Sequence, residues 1–367
     1  MPSALALGFK DRDFRSNPLT REEAIEAIGF ERPEDLDLLY AASSRVRAEM
    51  FGKDVSVCTI VNAKSGNCAE DCGFCAQSAY YQKDTGVTTY PLMSADDIVN
   101  VAWERKAIGG REFSIVTAGT GMYRPEEVDT LVDAVRRVND EVGMESCASL
   151  GLMKREDLLR LKEAGMVHFH HNLETARSHF PNIVTTHSFD DEVNSVRMAK
   201  ELGFEVCCGG IFGMGENREQ RVELMETLRD LDVDSIPINF LNPIKGTRLG
   251  HLKPMEAEEA LKVIAVMRLM MPGTPSFVCG GREVTLGNRQ DEIFRAGASG
   301  LMMGNYLTTS NRNYLHDREM VAAQGLRIKD DGCHVKTKQP MEVKTPATEV
   351  RQAVPSQKLY QIDRPAN

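Results

Sequence analysis

A chain of 367 residues, 42% hydrophobic and 27% charged, has an ordinary globular composition and is long enough for one large α/β unit or two average domains. Its net charge of −10 argues against a protein whose main task is to coat nucleic acid, because phosphate binding needs clustered positive surface. Nine cysteines are an odd set, the opening MPSALALGFKDRDF lacks a secretory core, and no apolar run approaches a membrane span, so a cytoplasmic chain with free thiols is expected.

Residues 1–54 contain two helical stretches, REEAIEAIGF and PEDLDLLYAASSRVRAEMFG, expected as an N-terminal extension that caps or flanks the rest. Over 55–327, β-rich runs alternate with segments of helical periodicity. The β-rich runs are VSVCTIVNA (55–63), EFSIVTAG (112–119), MESCASLG (144–151) and MVHFHHNLE (166–174). FEVCCGGIFG (204–213), SIPINFLNPI (235–244), SFVCGGRE (276–283) and GLMMGNYL (300–307) follow. Ser94 with Asp97 ahead of Ile98 reads as a capping box. In 125–142, Pro125 suits a first helical position, and Val128, Leu131, Val132, Val135, Val138 and Val142 form one apolar face. Gly143, Gly165 and Gly203 read as helix ends, and 256–271 repeats the helical pattern through Ala260, Val263, Ile264, Met267 and Met270.

Eight strands, each followed by helix, predict a (β/α)8 TIM-type barrel whose parallel strands are buried on both faces. An open doubly wound sheet is the rival, but Gly119-Thr120-Gly121 is too short for the glycine-rich phosphate loop it would carry. Residues 328–367, rich in Pro, Lys, Thr and Gln, are expected as a loosely ordered tail.

Cys68, Cys72 and Cys75 stand in a C-x3-C-x2-C run after the first strand, at the active end of such a barrel. Three thiolates on one loop can hold an iron–sulfur cluster, and would leave one iron of a 4Fe–4S cube open to a small molecule. On spacing alone, a zinc site completed by a distant Cys or His and a thioredoxin-like redox pair are the alternatives. With Phe74 directly before the last cysteine, the run resembles that of the radical S-adenosylmethionine superfamily.

Further blocks resemble the biotin synthase family in particular. They are Asn62-Ala63-Lys64-Ser65-Gly66-Asn67 before Cys68, Ala76-Gln77-Ser78 after Cys75, His171-Asn172-Leu173-Glu174-Thr175 and Ile183-Val184-Thr185-Thr186. GGIFGMGE (209–216), Ser235-Ile236-Pro237-Ile238-Asn239, Lys245-Gly246-Thr247, Gly280-Gly281-Arg282-Glu283 and Leu307-Thr308-Thr309 continue in family order.

That resemblance implies a sulfurtransferase. A reduced 4Fe–4S cluster on Cys68, Cys72 and Cys75 would cleave S-adenosyl-L-methionine to methionine and a 5′-deoxyadenosyl radical. The radical would take hydrogen from dethiobiotin, and an auxiliary Fe–S cluster deeper in the barrel would supply the sulfur of biotin. The resemblance also implies Phe74 and Ile211 beside the adenine, and Asn172 and Glu174 on the ribose or methionyl part. Asn239, Thr308 and Thr309 would grip the ureido ring and carboxylate of dethiobiotin. A plain helix cap is the competing reading of the two threonines. A homodimer and a flavodoxin or ferredoxin electron donor are further family expectations.

The chain departs from the common family pattern, in which three Cys and one Arg hold a 2Fe–2S auxiliary cluster. Cys147 and Cys207 match, but Ser114 stands at the third Cys position and Phe277 at the Arg position. Strand alternation points Cys279 as Phe277 points, one layer nearer the barrel mouth. Cys147, Cys207 and Cys279 would then converge from strands three, five and seven. That set suits a four-iron auxiliary cluster with one non-protein ligand, as in a second type of biotin synthase typical of anaerobes. A merely small, buried Cys279 is the alternative. Cys208 is expected to face the helices and Cys58 to sit in the core, while Cys333 beside His334 has no counterpart. Glu192 stands where the family usually carries a basic residue for the methionine carboxylate, and Arg197 is no obvious substitute. Two other functions compete: a related radical enzyme, such as a hydrogenase maturase or methylornithine synthase, and an iron–sulfur electron carrier or sensor.

Overall fold

The computed structural model describes residues 1–308 and 313–329; Thr309, Cys333, His334 and nearly all of the expected tail lie outside the described residues. Among the described residues ten strands are formed: β1 (Asp54–Lys64), β2 (Glu112–Thr117), β3 (Glu145–Ser149), β4 (His168–His170), β5 (Glu205–Cys207), β6 (Gly210–Phe212), β7 (Ile236–Phe240), β8 (Ser276–Val278), β9 (Gly300–Met302) and β10 (Arg327–Ile328). Nine make one parallel sheet in the order β5-β4-β3-β2-β1-β9-β8-β7-β6, and β10 pairs with the start of β1. β5 and β6 are halves of one expected strand, broken at Cys208-Gly209. Isolated bridges from Cys207 to Ser235 and from Glu174 to Gly210 join the two ends of the sheet. The result is the expected (β/α)8 arrangement with its fifth strand split.

The break has a steric cause in a neighbouring strand. A Cβ on Gly209 would come within 2.0 Å of the Pro237 carbonyl oxygen, so only glycine lets the chain pass there. Its N–H donates to the Asn172 side chain at 3.2 Å instead of to a neighbouring strand.

Alternation sorts the side chains of β1. Val55, Val57, Val61 and Ala63 enter the core between sheet and helices, while Cys58 and Ile60 face the lumen. The expectation that Cys58 belongs to the core is therefore corrected: it lies one position out of phase with the core valines.

Register sets which lumen side chains meet. Cys58 pairs with Glu112 and Glu112 with Glu145, two residues before Cys147. Cys147 pairs with His168 and His168 with Glu205, two residues before Cys207. Cys207 bridges to Ser235, whose neighbour Ile236 pairs with Ser276, one residue before Phe277. Phe277 pairs with Gly300 and Gly300 with Ser56, two residues before Cys58. Cys58, Cys147, Cys207 and Phe277 thus occupy one level of the lumen, the four-residue layer that alternate strands build in such barrels.

The helices follow the sequence patterns with local departures. The helix Pro125–Arg137 has its proline at the first position, then widens into a π turn over Val138–Val142 before Gly143 ends it in the left-handed region. Ser94 accepts the Asp97 N–H at 3.2 Å, but its hydroxyl donates to the Asp97 carboxylate, so half of the expected capping box is made. The helix Ala257–Met270 is buried from Ala260 to Met270 because Arg21–Ile28 and Pro33–Phe51 pack over it. The N-terminal extension thereby flanks the barrel. Among the described residues, no helix is long and apolar enough to cross a membrane.

Arg268, fully buried on that helix, fastens the strand that carries Phe277. Its guanidinium donates to the carbonyls of Gly297 (2.8 Å) and Thr274 (2.7 Å) and to Ser276 Oγ (2.7 Å), and lies 4.7 Å from the Phe51 ring centre. Removing it leaves several buried acceptors without donors. Arg268→Met is expected to lower the stability of the folded chain by about 2–4 kcal/mol, read from the shift of the urea midpoint at unchanged slope.

Candidate functional site

At the C-terminal ends of the strands the lumen opens into a cavity of ≈ 310 Å³. Its upper wall carries Phe74, Cys75, Asn172, Glu174, Ile211, Asn239 and Thr308. Its floor carries Cys58, Cys147, Cys207 and Cys279 with Ser114 and Phe277. Most site residues expected from sequence therefore meet in one space. Cys68 and Cys72 lie outside its lining but on the same short loop as Cys75.

That loop is folded back on itself and clamped from below. The Cys68 N–H donates to the Gln77 carbonyl at 3.1 Å, Ala79 N–H to the Cys68 carbonyl at 2.8 Å, and Cys75 N–H to the Cys72 carbonyl at 2.9 Å. The Thr185 N–H and hydroxyl both donate to Asp71, at 2.8 and 2.5 Å, and Gly73 N–H reaches the Ile183 carbonyl at 2.9 Å. The run 183–186 is thus a cradle for the cysteine loop. Asn62 Nδ2 ties the loop to the far side of the mouth, donating to Gln77 Oε1 (3.2 Å) and the Leu307 carbonyl (3.1 Å).

Burial pushes the Cys75 thiol up to about 12, raises Cys68, and raises Cys72 further still, so all three keep their protons at neutral pH unless a cation displaces them. Among the described residues, no three His, Cys, Asp or Glu side chains are drawn together as around a single metal ion. A multi-iron cluster makes no such demand, since its own body separates the thiolates, and soft sulfur donors suit iron–sulfur chemistry.

Glu174 is held at φ 61°, in the left-handed region that a non-glycine residue adopts at a cost. Its carboxylate faces the cavity, and one buried oxygen has no hydrogen-bond partner. Burial first, then the nearby Glu192 charge, pushes this carboxyl up to about 8. A buried acceptor aimed at a cavity is suited to hydroxyl donors of a ligand. Asn239 instead spends its amide on backbone, donating to the Gly210 carbonyl (3.3 Å) and accepting from Gly280 N–H (2.9 Å). Thr308 lines the mouth, and among the described residues the helix Tyr314–Ala323 is capped by Asn313.

On the floor, Cys207 Sγ is 3.4 Å from His170 Nδ1, and burial holds that imidazole down at about 4, hence neutral. Cys208 points the other way, into the core beneath the helices. Cys58, Glu112 and His170 are floor residues that sequence reasoning did not select. The period-two alternation through Ile60 was the available signal for Cys58.

The comparisons with known proteins agree with this geometry. Residues 63–228 match the Radical SAM superfamily, and residues 237–327 match the Biotin and Thiamin Synthesis associated domain. A biotin synthase of Anaeromyxobacter sp. (strain K) is 51% identical over 312 residues, 85% of this chain and 86% of that one. The biotin synthase of Geobacter sulfurreducens is 48% identical over 89% of this chain and 98% of its own. This chain belongs to the biotin synthase family. Among solved structures, methylornithine synthase superposes with a TM-score of 0.75 at 22% identity, covering 89% of this chain and 97% of that one. The FeFe-hydrogenase maturase HydG from Carboxydothermus hydrogenoformans gives 0.74 at 16% identity over 88% and 78%. At such identities these two show the shared fold.

Glu192, expected as a departure from the family pattern, is buried and is not left as a lone anion. His171 Nε2 hydrogen-bonds it, as does His187 Nε2 at 2.8 Å, while His187 Nδ1 reaches Glu70 at 2.6 Å. Burial alone would raise Glu192, but these hydrogen bonds outweigh it and hold the carboxyl at about 2. Burial alone would lower His187, yet its hydrogen bonds to Glu192 and Glu70 carry it up to about 9. His187 is therefore a histidinium held between two carboxylates, and nothing in the sequence pairs positions 187, 192 and 70. The stability that His187 contributes is complete below its ordinary pKa of 6.5 and is lost as pH rises through about 9. That from Glu192 is complete above 4.5 and is lost as pH falls toward about 2. In Glu192→Gln, His187 should titrate lower by NMR, and the fall in stability between pH 6.5 and 9 should become shallower than in the parent. An unchanged alkaline limb would rule out this pairing.

Proposed function

We propose that this chain converts dethiobiotin to biotin by radical S-adenosylmethionine chemistry, with the auxiliary cysteines as the seat of the sulfur donor. The observation that carries this reading is the stacking of two cysteine groups on one cavity: the 68–75 loop at the mouth and the strand cysteines on the floor. Cys68, Cys72 and Cys75 would hold a 4Fe–4S cluster that, with S-adenosyl-L-methionine, would supply a 5′-deoxyadenosyl radical, and an auxiliary Fe–S cluster would supply sulfur.

The chain's own residues bind, orient and exclude water. Phe74 and Ile211 offer apolar surface to an adenine at the mouth, and Glu174 and Asn172 offer acceptors to ribose or methionyl groups. His187, with both ring nitrogens spent on Glu70 and Glu192, holds these two carboxylates together beside the cysteine loop. Thr308, Thr309 and Asn239 are the candidates for gripping the ureido ring and carboxylate of dethiobiotin. Thr309 lies outside the described residues, and Asn239 would also act by holding the Gly210 and Gly280 backbone in place. On the floor, Cys147, Cys207 and Cys279 are assigned to the auxiliary cluster, and a four-iron form suits them because Ser114 and Phe277 offer no comparable donors. Placing the chemistry in the lumen would limit the contact of a reactive carbon radical with solvent. A flavodoxin or ferredoxin as electron donor, a homodimer and a cytoplasmic setting complete the reading. The barrel spans 55–327 behind an N-terminal extension over 1–54.

Anaerobically reconstituted protein given dethiobiotin, S-adenosylmethionine and a reductant should form biotin and 5′-deoxyadenosine. Deoxyadenosine without biotin would move the chain to a related radical enzyme, and neither product would leave an electron carrier. Thr308→Val should raise the KM for dethiobiotin by about tenfold, the worth of a lost hydrogen bond to a polar substrate, at little cost to melting temperature. An unchanged KM would remove Thr308 from the substrate site.

A further inference from the structure

The floor of the cavity presents four thiols, and the fourth comes from β1. Register places Cys58 at the same level of the lumen as Cys147 and Cys207, on the first, third and fifth strands of the ring. The remaining place of that layer is filled by Phe277, which offers no donor. Cys279 follows two residues later on the same side, one layer nearer the mouth.

Cys58 packs beside Phe277, Cys279 and Met302, and its thiol is in hydrogen-bonding contact with that of Cys279. It is further tied to the group by a shared neighbour, because the Glu112 carboxylate lies within electrostatic reach of Cys58, Cys147 and Cys207 alike. Three thiols in one layer and a fourth one layer higher point inward from four strands. A four-iron cube takes one protein thiolate per iron, and four cysteines are its ordinary complement.

We propose that Cys58 is a thiolate ligand of the auxiliary cluster, completing a four-cysteine cage with Cys147, Cys207 and Cys279. This rests on the reading of the floor as an iron–sulfur site. Cys208 is the internal contrast: equally a buried thiol, but turned into the core and away from the cage.

The test is iron and sulfide content, with Mössbauer spectra, of the full chain after anaerobic reconstitution. Wild type should bind about eight irons and Cys58→Ala should lose roughly half of them, whereas Cys208→Ala should match wild type. Cys58→Ser, which conserves shape and offers an oxygen donor, should recover iron but shift the auxiliary spectrum, because oxygen replaces sulfur on one iron. Iron content and spectra identical to wild type in both position-58 variants would overturn the proposal. So would full iron with an unshifted spectrum in Cys58→Ser alone, which would mark the alanine loss as a packing effect. Cys147→Ala separates the underlying reading. If it sheds about four irons while Cys58→Ala sheds none, only the fourth ligand is refuted. If a Cys68→Ala, Cys72→Ala, Cys75→Ala triple variant binds no iron with all floor cysteines present, the auxiliary site itself falls.

Discussion

The staggered register of the parallel sheet is the constraint on which everything at the site depends. Each second strand is offset by two residues around the ring, so side chains distant in sequence arrive at one level of the lumen. Cys58, Cys147 and Cys207 are neighbours only because of that offset. A one-residue slip would turn each of them to the helix side, where Cys208 now sits. The helices enforce the register from outside, through buried fasteners such as Arg268, which joins the start of β8 to the loop before β9.

Above this floor, the mouth is organised by charge. Glu70, Glu174 and Glu192 gather near the cysteine loop, an arrangement that would repel itself without compensation. His187 bridges two of them and is held cationic for that reason. Glu174 finds no such partner, so burial dominates and its carboxyl is raised. Two buried carboxylates close in space are thus driven in opposite directions by whether a histidine hydrogen-bonds them. The threonines at 185 and 186 complete the arrangement by donating to Asp71 and Glu70, which fixes the loop before any ligand arrives.

The alternation of β-rich and helical segments, the capping signals and the family blocks carried the barrel and the radical-type loop without any tertiary information. Local chemistry is enough there: strand and helix periods are properties of short segments, and Cys68, Cys72 and Cys75 share one loop. The inward direction of Cys279 was also legible, since alternation along one strand settles it. The split of the fifth strand was not, because it follows from contact between Gly209 and Pro237 on another strand.

The sequence by itself determined the family, the fold and the set of thiols available. Only the tertiary structure decided which of them share a cavity and what answers the acidic residue at 192. Cys58 looked like a core residue because a strand buried on both faces hides which face is the lumen. Its phase relative to Val57 and Val61 acquires meaning only once the ring closes. The pairing of Glu192 with His187 and His171 likewise depends on how the end of β4 meets the following helix, a distance that no spacing in the chain encodes.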